Sequence, residues 1–289
     1  MMTGAMAFFA VGDALVKLST DHFSTAQVIL IMALPCTAIF AALTWKSGRP
    51  VVSRALLQPV VFARSIIEAL TAVCMVSALS LAPMSLVISI TQAVPLLVTL
   101  CAALILKERV GPRRWLAVLV GLGGVLLMLR PSGDGLAAGA LLALGAASGL
   151  AARDIATRLT PSDVSTLQMA TWGMGSLIPA ALILFPFTPP HTPVLQWPLF
   201  IVGMAALATS AGYYAITAAM RIGEVSVVTP FRYSRLVFSL ILAFVFLSER
   251  PDVLTLIGAL IVIGSGLFVF WRERALANAA ASPHETTRP

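Results

Sequence analysis

Charge is scarce in this chain. Only 11% of its 289 residues are Asp, Glu, Lys or Arg, against 59% hydrophobic residues, and the mean hydropathy is +0.96. So little polar surface cannot cover a soluble globule of this length, and the composition places the chain in a bilayer. Histidine is nearly missing too: His22, His191 and His284 fall in two loops and the tail, which leaves almost no material for a His-based metal or nucleophile site. Cys36, Cys74 and Cys101 lie inside apolar runs at spacings that fit neither a disulfide framework nor a metal set, and read as small core residues. No cofactor or metal is expected. A phosphate-cradling Gly-Lys-Ser/Thr loop is absent, which excludes ATP as the direct energy source. The amino terminus lacks the basic start and small-residue cleavage pattern of a secretory signal, so the first apolar run is expected to stay as a helix. The net charge of +7 is not gathered into a basic stripe with interleaved aromatics, and this argues against nucleic acid as a partner.

Long apolar runs are what the chain has in abundance. Crossing about 30 Å of hydrocarbon takes roughly 20 residues of helix. Pro, Gly and charge punctuation divides the chain into ten such spans: Thr3 to Leu18, Ala26 to Trp45, Val60 to Ser80, Met84 to Leu106 and Trp115 to Leu129, then Leu136 to Ala152, Val164 to Phe185, Trp197 to Ala219, Val225 to Leu247 and Val253 to Phe270. The block from Ala78 to Arg130 recurs without a gap as Ala219 to Trp271, with Ser85/Ser226, Val87/Val228, Ala102/Ala243, Leu106/Leu247, Leu119/Leu260, Gly123/Gly264 and Leu126/Leu267 identical. Glu108-Arg109 and Glu249-Arg250 follow the apolar span in each copy. Two halves of five spans each must be inverted relative to one another, because five is odd. The expected fold is therefore all-α and integral to the membrane, with ten transmembrane helices as two inverted five-helix repeats. Residues 1–131 form the first repeat and 135–271 the second, and 272–289 a disordered cytoplasmic tail.

The loop charges give an orientation independently of the repeat. With a cytoplasmic amino terminus, the inner loops and tail hold Lys46, Arg49, Arg54, Lys107, Arg109, Arg113, Arg114, Arg153, Arg158, Arg221, Arg272, Arg274 and Arg288, and the outer loops only Arg130 and Arg250. That bias puts both termini on the cytoplasmic side of a bacterial-type inner membrane.

The ten-span repeated plan, Ala82-Pro83-Met84-Ser85 at the start of span four, Lys107-Glu108-Arg109 at its end and the later Pro230-Phe231-Arg232-Tyr233 run resemble the drug/metabolite transporter superfamily, of the EamA type. The resemblance covers nearly the whole chain, although each motif is short. It implies a secondary transporter or exchanger of small metabolites, with a central cavity between inverted halves and the fifth and tenth helices away from the transport path. One departure stands out: Met32 occupies a position in span two where an Arg is frequent in the family.

Ionisable side chains in hydrocarbon cost at least about 2.5 to 3.5 kcal/mol each, so each needs a partner or a water-filled cavity. Asp13 and Lys17 are spaced i, i+4 in span one, as a local pair with Lys17 reaching the interface or with Asp13 as a cation or proton site. Arg64 and Glu68 repeat that spacing in span three. Arg64 is expected to snorkel, and Glu68 is the leading candidate for a protonatable or substrate-facing carboxylate, the alternative being a fixed pair with Arg64. In span four, Pro95 frees a carbonyl beside Gln92, which can donate and accept, either to substrate or to another helix. In span nine the repeat sets Tyr233 opposite Gln92, and Arg232 and Arg235 flank it. Tyr213 and Tyr214 lie at the centre of a hydroxyl-rich span eight with Thr209, Ser210 and Thr217, which favours a cavity over an interfacial belt. Trp172 reads as core packing. Gly121, Gly123 and Gly124 in span five and Gly258, Gly264 and Gly266 in span ten read as close helix contacts.

These readings converge on a carrier rather than an enzyme, with a small-molecule substrate and lipid as its partners. Gln92, Tyr213, Tyr214, Arg232, Tyr233 and Arg235 form the expected substrate site, with Asp13 and Glu68 as coupling carboxylates. A flat polar heterocycle such as riboflavin suits the tyrosines, Gln92 and Arg232, whereas a cation such as S-adenosylmethionine suits Asp13 and Glu68; an amino acid or drug is a further alternative. The rivals from other classes are a channel and a membrane-embedded enzyme, which would need a His pair or Asp-rich loop that the sequence does not supply.

Overall fold

In the computed structural model the described residues are 1–105, 107, 111–129, 136–188, 196–222 and 229–281, and among them there is no strand. The helices are α1 Met2–Ser19, α2 Thr25–Lys46, α3 Pro59–Leu81, α4 Met84–Thr91, α5 Val94–Ile105, α6 Pro112–Leu129, α7 Leu136–Leu159, α8 Thr166–Leu184, α9 Gln196–Ile222, α10 Ser234–Leu247 and α11 Val253–Ala281. Among the described residues, nine segments are long and apolar enough to cross a membrane, with Met84–Ile105 taken as one of them.

Local chemistry sets the ends of these helices. Ser24 and Gln27 exchange side-chain bonds with each other's backbone at the start of α2, and Ser165 and Gln168 do the same at α8. Proline at the first position starts α3, and Ala82-Pro83 ends it. The span-four sequence breaks between Thr91 and Val94, beside Pro95, where the ring removes a donor from the helix ladder. Only part of the expected ninth span is described: a 3-10 turn, Thr229–Tyr233, leading into the fourteen-residue α10. Glu108-Arg109 and Arg130 fall outside the described residues. The last helix runs to Ala281, past residue 272 where the disordered tail is expected to begin, because its alanines are strong helix formers.

The helices pack in pairs, α3 along α7, α1 along α9, α2 along α8 and α6 along α11. Gly145 and Gly149, one turn apart on α7, let α3 lie close: a Cβ on Gly145 would sit 3.4 Å from Cys74 Sγ, and Gly149 receives the Thr71 side chain. Between α6 and α11 the backbones almost touch: a Cβ on Gly124 would sit 2.9 Å from the carbonyl oxygen of Gly258, and one on Gly258 would sit 2.7 Å from that of Gly124. Gly266 receives the Tyr233 ring in the same way, and Gly121 receives Leu96. Gly123 and Gly264 depart from the expected role, since each faces open space rather than a helix.

Three structural features recur at one spacing. Gln92 Nε2 donates to the carbonyl of Tyr233 at 3.2 Å, across 141 residues. The capped serines Ser24 and Ser165 stand at that same separation. So do Lys107 and Ser248, the two non-glycine residues with positive φ among the described residues, at 55° and 53°.

Candidate functional site

A cavity of about 250 Å³ opens between α1, α2, α3, α4, α5, α7, α8, α9, the 3-10 turn and α10; α6 and α11 do not line it. Seven of the eight expected site residues lie on its wall: Asp13, Glu68, Gln92, Tyr213, Arg232, Tyr233 and Arg235. Tyr214 does not. One residue further around α9, it points outward and is 59% exposed, as the 100° turn per residue of a helix requires. Thr217's side chain is outside what is described.

The charged groups form two clusters. In the first, Arg235 grips both carboxylate oxygens of Asp13 at 2.7 to 3.0 Å and lies 5.3 Å over the Phe9 ring. Asp13 therefore takes its partner from the far end of the chain, and the expected local pair with Lys17 is replaced. Lys17 turns to the end of α3, where its Nζ donates to the carbonyls of Leu79 and Ala82 at 2.6 and 3.0 Å. These are orphan helix-terminal acceptors, the natural station for a cation. On the other side of the same turn, Glu249 accepts from Met84 N at 2.7 Å and from Ser85 N and Oγ at 2.9 Å each, an anion on a helix start. Leu79 also lines the cavity, so this double cap lies beside it.

The second cluster centres on Glu68, whose two oxygens face different arginines: Arg153 Nη1 at 3.0 Å and Arg64 Nη2 at 3.4 Å. Arg153 also bonds Asp154 at 3.0 Å, and the other oxygen of Asp154 lies 3.7 Å from Arg232. Contrary to expectation Arg64 does not snorkel. It is 3% exposed and donates to Thr157 Oγ1, the Met169 carbonyl and Tyr213 Oη at 2.9, 3.1 and 3.5 Å. Burying such a donor set requires partners on every side, and α7, α8 and α9 supply them. The i, i+4 pair of Arg64 with Glu68 exists, as one link in this wider network.

The apolar-run reading ends span six at Ala152 and counts Arg153 among the loop charges. In the structure α7 continues to Leu159 and carries Arg153 and Asp154 into the bundle. A signal for this was present: from Ala152 to Thr160 the sequence has no Gly or Pro, and the first stop is Pro161.

The remaining wall is apolar and adaptable. Met6, Met32, Met75 and Met174 all face the cavity, and unbranched thioethers mould to irregular ligands. Met32 thus puts a thioether on the wall where the family resemblance leads one to expect a guanidinium, and Arg153 and Arg232 bring positive charge to the cavity from the second half. Tyr233 lines the cavity while its hydroxyl packs on Gly266, without a hydrogen-bond partner among the described residues. Trp172 lies outside, in a packing cluster with Val61, Val164 and Met169, and its Nε1 donates to the Val51 carbonyl at 2.7 Å.

The chain is 28% identical to an S-adenosylmethionine uptake transporter of Rickettsia prowazekii, over 72% of this chain and 69% of that protein. It is 27% identical to a riboflavin transporter of Rhizobium johnstonii, over 73% and 69%. A pseudopaline exporter of Pseudomonas aeruginosa matches at 25% identity over 88% and 89%. In fold it resembles a solved crystal structure with a TM-score of 0.64, at 22% identity and over 95% of this chain and 97% of that one. The EamA-like transporter family matches residues 1–130 and 137–271. The chain belongs to that family, within the drug/metabolite transporter superfamily, and is a multi-pass membrane protein that transports a small metabolite.

Proposed function

We propose that this protein is a secondary carrier or exchanger that moves a small amphipathic metabolite across the inner membrane by alternating exposure of the central cavity, with both termini cytoplasmic. The observation that carries the reading is the convergence of Asp13, Glu68, Arg153, Arg232 and Arg235 on one cavity within otherwise aliphatic helices. Charges so placed are expensive in a bilayer and are held where a polar solute passes. A wall that combines paired charges with methionines suits a solute with a hydrogen-bonding head and an apolar or flat body.

The proposed architecture is ten spans in two inverted halves of five. Exchanging the halves in order turns the α3–α7 packing into α9–α1, and leaves α2–α8 and α6–α11 as self-paired contacts, which matches the four pairings observed. The shared spacing of the capping boxes, of the left-handed residues and of the Gln92–Tyr233 contact supports the same relation. Broken helices beside the cavity, at Gln92 and before Ser234, fit a midplane site at the interface of the halves. The double cap made by Lys17 and Glu249 suits a gate at one end of the cavity.

S-adenosylmethionine-like and riboflavin-like solutes are both supported by relatives. The structure gives the flavin reading less stacking surface than the sequence promises, since Tyr214 faces outward and the Tyr233 hydroxyl end is packed on Gly266.

Counterflow in proteoliposomes tests the carrier reading: uptake should saturate and should accelerate when the same solute is loaded inside. Linear flux without trans-stimulation would mean a channel. Asp13 and Glu68 are the proposed coupling carboxylates; if Asp13→Asn and Glu68→Gln leave the pH profile of uptake unmoved, neither carries the proton.

A further inference from the structure

Three guanidiniums line the cavity and that of Arg64 lies buried beside it, and their hydrogen bonds are unequally spent. Arg235 is held by both oxygens of Asp13. Arg153 is shared between Glu68 and Asp154, and Arg64 is satisfied by side chains and backbone from three helices. Arg232 differs. It makes no hydrogen bond among the described residues, its one charged neighbour is Asp154 Oδ2 at 3.7 Å, and its side chain is 31% exposed on the cavity wall. That contact is long for an ion pair and belongs to a carboxylate already bonded by Arg153 through its other oxygen.

The charge balance leads to the same residue. Among the described residues, Arg64, Arg153, Arg232 and Arg235 stand against Asp13, Glu68 and Asp154, one positive charge more than negative. Each of the three carboxylates already has a guanidinium beside it, so a purely cationic solute would find no unpaired anion among the described residues. A carboxylate, in contrast, would find a planar fork of donors in a low-dielectric site, the arrangement in which bidentate recognition is strongest.

We infer that Arg232 is the specificity-determining residue of the carrier and receives the carboxylate of its solute, so that the transported metabolite is an amino acid-like or other carboxylate-bearing compound. This rests on the carrier reading given above. The apolar part of the solute then lies towards the methionines, and Asp154 keeps Arg232 aimed into the cavity until the solute arrives.

The test is counterflow with matched pairs: S-adenosylmethionine against its decarboxylated form, methionine against methioninamide, and riboflavin as a solute without an acidic group. The wild-type protein is expected to prefer the acid of a pair by about tenfold or more, as a charge-assisted hydrogen bond implies. Arg232→Gln should raise the KM of the acid by that factor while the KM of its partner stays unchanged, and Arg232→Lys should recover part of the difference. A merely structural role would move both members of a pair together, and thermal unfolding of both variants checks that they are folded. If the acid and its partner are carried equally well, or if Arg232→Gln keeps the preference, the inference is overturned. Riboflavin uptake that is indifferent to Arg232→Gln overturns it too and leaves the carrier intact, whereas saturable uptake of no solute at all removes the carrier reading with it.

Discussion

Two regions of this molecule solve the problem of packing helices in lipid in opposite ways. Around the cavity, guanidinium–carboxylate pairs join α1 to α10, and α3 to α7 and the 3-10 turn, linking distant parts of the chain. Between α6 and α11 the two backbones meet through Gly124 and Gly258. Lipid tails are as apolar as leucine, so neither region is assembled by the hydrophobic effect in its aqueous form; the first relies on electrostatics and the second on close contact. A buried ion pair is weak evidence for stability, whereas ionisable residues within a membrane mark function. The contrast therefore divides a part that acts on the solute from a part that supports it, and substitutions can test where the boundary lies.

The largest effect is expected at Arg153. Replacing it with Met leaves Glu68 with Arg64 alone and Asp154 with the distant Arg232, and stranding a buried charge costs about 3 to 5 kcal/mol. Thermal unfolding in detergent should fall accordingly and counterflow should vanish. Asp13→Asn comes next. It removes the charge under Arg235 while keeping the shape, and should reduce uptake by about tenfold or more for the loss of a charge-assisted pair. Combining it with Arg235→Gln should restore part of the lost stability, which a double-mutant cycle would read as a coupling of about 0.5 to 3 kcal/mol.

Gly258→Leu sharpens the comparison from the other side. Forcing a side chain between α6 and α11 should cost about 1 to 3 kcal/mol of stability, yet leave KM unchanged because neither helix lines the cavity. A large change in KM at unchanged expression would show that the supporting pair takes part in the solute site. The smallest effect is expected at Tyr214, exposed on the outside of α9. Tyr214→Leu should stay within about 0.5 kcal/mol in stability and leave transport intact, in contrast to Tyr213→Leu, which removes a partner of Arg64 and a cavity wall.

Much of the fold is legible in the sequence because apolar runs of span length have one reading in a bilayer. The starts of α2, α3 and α8 lie close to the expected positions for that reason, helped by Ser-x-x-Gln and proline signals. Intramembrane charge likewise singled out Asp13, Glu68, Arg232 and Arg235 without any knowledge of contacts. Their partners were not legible. Asp13 has Lys17 one turn away, and only the tertiary fold brings Arg235 to it and sends Lys17 to the carbonyls of Leu79 and Ala82. Arg153 and Asp154 escape a hydropathy reading because it ends span six at the first charge, although the absence of Gly or Pro before Pro161 lets the helix run on to Leu159, where Arg153 meets Glu68. The repeat was readable from Ala78 onward by identities, while its extension back to Ser24 and Ser165 rests on two capping boxes that share only three residue types. For Tyr213 and Tyr214 a hydropathy plot gives one answer for both, and the helical period gives two.

The proposal of two inverted halves that share one cavity is tested most directly by the sidedness of the turns after the fourth and ninth spans. Single cysteines at Lys107 and at Arg250, introduced in a background lacking Cys36, Cys74 and Cys101, can be labelled with a membrane-impermeant maleimide in right-side-out and inside-out vesicles. Inverted halves predict that Lys107→Cys reacts only from the cytoplasmic face and Arg250→Cys only from the opposite one. Labelling of both from the same face would contradict the inversion, and with it the shared cavity as the route of transport.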